Sequence, residues 1–151
     1  MRQPPHLDAA QARMAPGRIT RDGFLGSDRR ALIEIIEQDR NAVARLGLTN
    51  QQIADRLDYL TEHGKAGLGT WVLVEGDLEV RVESVRGGLP CPWGHKGLYP
   101  KMNVFLRNLT TGEELVWTGM QIHLVREHGF YEGKGSPFRL DPERVARALG
   151  L

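Results

Sequence analysis

Apolar positions change period along this chain, and the changes divide it into elements. From Asp28 onward Leu32, Ile35, Ile36, Val43 and Leu46 recur at helical spacing, which predicts an amphipathic helix up to about Leu46. In GLTNQQIADRLDYLTEHG, residues 47–64, Ile53, Leu57 and Leu60 form one stripe. Thr49 with Gln52 makes a capping box, in which each side chain satisfies a backbone N–H that the first turn leaves without a partner. Gly64 is placed to end this second helix. So short a link between the two predicts antiparallel packing.

The period then shortens to two. WVLVEGDLEVRVESV, residues 71–85, holds two strand-like runs around Gly76-Asp77, a tight hairpin turn. Leu78, Val80 and Val82 alternate with Glu79, Arg81 and Glu83, so one face is buried and the other wet. RGGLPCPWGHKGLYP, residues 86–100, is rich in glycine and proline and reads as loop. A second hairpin follows, KMNVFLRN and ELVW around a turn at LTTGE. Thr118 with Gln121 repeats the capping box and opens a helix through His128, with Gly129 as its stop. Asp141 as N-cap and Pro142 in the first turn open a last helix, with Val145 and Leu149 facing inward. The sum is an α+β fold: a small antiparallel sheet of about four strands in two hairpins, an N-terminal helical pair, and two C-terminal helices. Residues 1–26 show no sustained period and read as a flexible arm or a segment laid over the surface; residues 27–151 read as one domain.

Composition narrows the functional classes. The 151 residues are 40% apolar and 26% charged, an ordinary globular balance, with 20 basic and 19 acidic residues giving a net charge of +1. No overall field attracts nucleic acid or anionic lipid. LTNQQIADRL resembles the first helix of a helix-turn-helix, with the following hairpin as a wing, but no recognition helix follows and basic residues are few. One cysteine forms no internal disulfide, and the first twenty residues lack an apolar signal core; the expectation is a cytoplasmic protein that does not enter the membrane.

That cysteine raises the main chemical question. Cys91 and His95 in CPWGH give C-x3-H, and His123 and His128 in the third helix give H-x4-H, a thiol and three imidazoles of the kind zinc takes. Residues five apart on a helix point about 140° from one another, so His123 and His128 share an ion only if the geometry at the helix end allows it. The alternative is a surface His123 beside Glu127, a partly buried His128, and Cys91 as a small hydrophobe.

A second unusual segment is HGFYEGKGSPFR, residues 128–139. Its glycines resemble an anion-binding nest; Lys134, Ser136 and Arg139 are suited to an anion, and Tyr131 and Trp93 to stacking. It is not a Walker A loop, since the spacing is one residue short and Gly135 follows Lys134. The opposing reading is a compact loop whose aromatics pin it to the core. The expectation is therefore a binding or interaction module stabilised by zinc, with this loop as the contact surface for a protein or a small anionic ligand. The alternative is a small metal- or Cys/His-dependent enzyme using the same cleft, although no complete catalytic constellation is visible. An exposed hairpin edge would also let two copies pair as a homodimer.

Overall fold

The computed structural model describes residues 3–151. The helices among them are α1 (Pro5–Arg13), α2 (Leu32–Arg45), α3 (Asn50–Gly64), α4 (Gly119–His128) and α5 (Pro142–Leu149). Between α3 and α4 lie β1 (Val72–Glu75), β2 (Leu78–Leu89), β3 (Tyr99–Asn108) and β4 (Glu114–Thr118). The strands pair in chain order, each antiparallel to the next. This is the α+β arrangement that the periodicity predicts. Leu78, Val80, Val82, Val104, Leu106, Leu115 and Trp117 are buried, as alternation demands of one sheet face. On wetter ground, the Arg81 guanidinium lies 4.2 Å from the Phe105 ring centre and that of Arg107 lies 3.7 Å from Trp71.

Two apolar cores result. The larger joins the sheet to Ile53, Leu57 and Leu60 of α3, Ile122 and Val125 of α4, and Val145 and Leu149 of α5. Its buried polar atoms are satisfied: Trp117 Nε1 donates to Thr61 Oγ1 at 2.9 Å, and Thr61 donates to the Leu57 carbonyl at 2.7 Å. The smaller core joins Ala10 of α1, Met14, Phe24, Leu32 and Ile35 of α2, Cys91, Met120 and Leu124 of α4, and Phe130. Helix α4 is thus the wall the two cores share.

Both predicted capping boxes are present, at Thr49/Gln52 and Thr118/Gln121. Four other expectations need correction. The segment read as a flexible arm contains α1, and Ala10, Met14 and Phe24 are buried in the second core. A nine-residue helix with only Leu7 and Ala10 on its inner side is too short to reveal a stripe. Gly64 does not turn the chain left-handed; its φ is −67°, and the chain continues through a 3₁₀ turn at Lys65–Gly67. Its lack of a side chain serves packing instead, because a Cβ there would stand 2.5 Å from Val80 Cγ1. Third, β2 runs on to Leu89 and β3 starts at Tyr99, so only residues 90–98 are loop. Pairing resumes at Gly88–Pro100 beyond a bulge after Ser84, with Gly87 at φ +100°. Finally, α2 packs chiefly on α1 and α5 and α3 on α4 and the sheet, rather than as a closed antiparallel pair.

Candidate metal centre

Cys91 lies two residues beyond the end of β2 and its carbonyl accepts from Gly94 N at 2.9 Å, closing a turn that Gly94 completes at φ +87°. Inside the turn the Trp93 N–H donates to Cys91 Sγ at 3.4 Å. Arg13, the last residue of α1, donates to the Pro92 carbonyl at 2.8 Å and so ties the N-terminal helix to this turn. His95 extends from the far side of the turn and is exposed. The capping box at Thr118 fixes the start of α4, and Gly129, at φ +60°, ends it immediately after His128.

These local choices bring the four residues together. One ligand atom from each of Cys91, His95, His123 and His128 lies within 4.8 Å of the other three, forming a group that could hold a metal ion. The helical angle between His123 and His128 is bridged by their rings, whose centres are 5.2 Å apart. His95 reaches between them, 5.2 Å from His123 and 4.7 Å from His128. Cys91 Sγ and His128 Nε2 are 3.6 Å apart. Tetrahedral zinc, with bonds of about 2.3 Å to sulfur and 2.0–2.1 Å to nitrogen, needs a sulfur–nitrogen edge of about 3.5 Å. That edge is already in place; edges as wide as 4.8 Å would close by up to about 1.4 Å, chiefly by movement of His95 on its exposed loop.

The surroundings hold the rings in place. Trp93 stacks on His128 with centres 4.0 Å apart and planes 8° from parallel, and leans on Phe130 at 5.7 Å. The Tyr99 hydroxyl is 3.0 Å from His123 Nδ1, and the two rings stack at 4.3 Å. The hydroxyl is also 3.3 Å from Nε2, so the tyrosine lies over the imidazole face and holds the plane of the ring. Burial pushes the Cys91 thiol and the Tyr99 hydroxyl up. His128 is lowered to about 4, first by burial and then by repulsion from His123 and His95, and His123 is lowered by burial and by His95. His123 is half-buried rather than a surface residue beside Glu127. Sequence reasoning named all four members of the group but missed Arg13 and Tyr99: an arginine in a stretch without period and a tyrosine at a loop edge carry no signal of their own.

The glycine-rich loop has a different role from the one its composition suggests. Tyr131 is fully buried and donates to Asn50 Oδ1 at 2.7 Å; Ser136 is buried and donates to Glu132 Oε1 at 2.6 Å. Arg139 makes a two-pronged bond to Asp39 of α2, at 2.5 and 2.8 Å, and a third to the Glu132 carbonyl at 2.8 Å. Of the residues expected to meet a ligand here, only Lys134 is exposed, and Trp93 faces His128 and Phe130 rather than Tyr131. The glycines permit close packing: a Cβ on Gly133 would sit 2.3 Å from the Leu25 carbonyl oxygen, and one on Gly26 2.2 Å from Ser136 N. Amides that an anion would need are engaged, Gly133 N to the Phe24 carbonyl at 2.9 Å and Lys134 N to Asp28 Oδ2 at 3.1 Å.

Glu132 lies at the centre of this loop, 4% exposed and at φ +68°. Burial pushes its carboxyl up to about 7, against the opposing pulls of the Ser136 hydroxyl and of Arg139. An acid raised in this way stabilises the fold below its unfolded value, near 4.5, and that stability is lost as pH rises through 7. The loss amounts to about 3 kcal/mol. Arg139, with Asp39 behind it, and Arg21, Asp22, Glu83 and Lys101 around the adjoining cavity are the charges that face it. Glu132→Gln keeps the acceptor for Ser136 and removes the titration. The variant should gain about 2.5 kcal/mol over the native protein at pH 8 relative to pH 5, read by urea unfolding. An equal difference at the two pH values would refute the assignment.

No family model, curated protein or solved structure matches this chain. Among the described residues, no helix is long and apolar enough to cross a membrane.

Proposed function

We propose that the protein is a binding module whose second core is clamped by one zinc ion on Cys91, His95, His123 and His128. The observation that carries this reading is the convergence of four donor atoms within 4.8 Å from two segments 27 residues apart. A thiolate with imidazoles is the donor set that zinc prefers, and a full complement of four protein ligands is the mark of a structural site. Such an ion would cross-link the turn after β2 to the end of α4, and through Arg13 would steady α1. Residues 94–98, all exposed except as they touch the ion, are the surface a partner would meet.

The test is elemental analysis of purified, untagged protein, repeated on Cys91→Ala, with cobalt(II) substitution as a second readout. About one equivalent of zinc, lost in the variant, with a thiolate-to-cobalt band in the native protein alone, is the expected result. Failure to bind zinc or cobalt even when supplied would remove the proposal.

One observation favours a second reading, a metal-dependent enzyme. His95 is the exposed ligand and lies on a loop, so its position could be taken by water or substrate, leaving a three-ligand site of the catalytic type. His95→Ala retaining a full equivalent of zinc with unchanged stability would favour this reading; loss of the ion would favour the structural one.

A further inference from the structure

A cavity of about 520 Å3, in the size range of small-molecule sites, lies away from the metal-ligating rings. Its roof is Thr20–Phe24, the segment after α1; one wall is the outer part of β2 and β3 from Glu83 to Leu89 and Pro100 to Asn103; the other is Glu132 with Pro137 and Phe138. The lining is mainly apolar and includes Phe24, Leu89, Met102, Met120 and Phe138. Polar groups are few, and one of them is unlike the rest. Glu132 is nearly completely buried, and only its Oε1 is engaged, by Ser136. No fully buried side-chain polar atom among the described residues lacks a hydrogen-bond partner. Oε2 has none, so Oε2 is the atom through which this side chain opens onto the cavity. Above pH 7, where this carboxyl is ionised, its free oxygen is an acceptor without a donor, and it gains most from a charged one. The remaining charges on the lining, Asp22 and Glu83 against Arg21 and Lys101, balance, so Glu132 decides the sign the cavity favours.

We propose that this cavity binds a small molecule with an apolar body and one ammonium group, the ammonium bonded to Oε2 of Glu132. The apolar walls accept the body without regard to detail, while the single carboxyl selects a cation over a neutral or anionic analogue of the same shape. Because Thr20–Phe24 forms the roof, the N-terminal segment is part of the site. The glycine-rich loop then contributes to binding through its inner face, whereas its outer charges remain in solvent.

The experiment uses the full chain and three amine probes, 4-phenylbutylamine, 2-cyclohexylethylamine and heptylamine, with 4-phenylbutanol and 4-phenylbutyrate as matched controls. Binding is read by calorimetry and by chemical shifts of the cavity methionine methyl groups. At least one amine should bind and perturb Met102 and Met120, with the alcohol and the acid about tenfold weaker or worse. Glu132→Gln should weaken the amine by about tenfold or more and leave the alcohol unchanged. Val85→Trp, placed at an exposed rim position, should weaken all probes by obstructing the cavity while leaving the core untouched. The proposal is overturned if no amine binds at about 5 mM, if Glu132→Gln binds the amines as well as the native protein does, or if the acid binds as tightly as the amine.

Discussion

Stripping zinc from the loaded protein should lower its melting temperature by roughly 8–16 °C without unfolding it at room temperature. An ion present at about a thousand times its dissociation constant adds about 4 kcal/mol to the folded state. In a chain of this size each kcal/mol is worth about 2–4 °C. A small zinc finger collapses without its metal because it has little else to bury. Here the sheet core, with Trp117, Leu57, Leu60 and Leu106 buried, contains none of the four candidate ligands and should remain. The damage should be confined to the second core, where Cys91 packs with Ala10, Met14, Phe24 and Leu124. Hydrogen exchange should therefore quicken after chelation in residues 5–26 and 90–98, while β2, β3 and α3 keep their protection. Cys91→Ala should show the lower melting temperature with or without chelator. A chelator that shifts native protein and variant equally, or exchange that quickens evenly over the whole chain, would contradict this account.

The distinction between the two cores also explains what could be read from the sequence. Capping boxes at Thr49/Gln52 and Thr118/Gln121 are closed within four residues, so the sequence alone shows them, and the alternation of Leu78, Val80 and Val82 marks its own buried face. The Cys/His group was legible as residue types and spacing. What could not be read is why His123 and His128 converge, since that depends on His95 arriving between them from a turn held by Arg13, 79 residues away from Pro92 in sequence. Glycine was the most misleading signal. At Gly64 it allows α3 to approach Val80, and at Gly133 it lets the loop touch Leu25, whereas composition suggested a helix stop and an anion nest. A missing side chain has the same appearance in sequence whether it frees the backbone to turn or lets another chain segment come close.

Replacing Arg139 should cost as much as removing the metal, for a reason the composition of its loop conceals. Its guanidinium and the Asp39 carboxylate are 13% and 6% exposed, and they meet through two parallel hydrogen bonds, at 2.5 and 2.8 Å. The third bond, to the Glu132 carbonyl, holds a residue at φ +68°. This pair joins α2 to the loop that walls the cavity, so α2, the loop and the second core depend on it together. Arg139→Met leaves a carboxylate buried without a partner, and the expected loss is about 3–5 kcal/mol by urea unfolding. Asp39→Leu leaves the guanidinium the Glu132 carbonyl at 2.8 Å and the Asp141 carboxylate at 3.7 Å, so it should cost less than the arginine variant does. With both replaced, no charge remains unpaired and most of the loss should be recovered, because apolar groups of similar volume often substitute for a buried ion pair without penalty. The coupling between the two sites, about 2 kcal/mol or more in the double-mutant cycle, is the diagnostic quantity. Single variants that each cost under about 1 kcal/mol, or losses that simply add in the double variant, would mean that the pair behaves as solvent-screened surface charges do. The second core would then be held to α2 by Leu32 and Ile35 and by the bond from Leu32 N to Gln11 Oε1 at 2.9 Å.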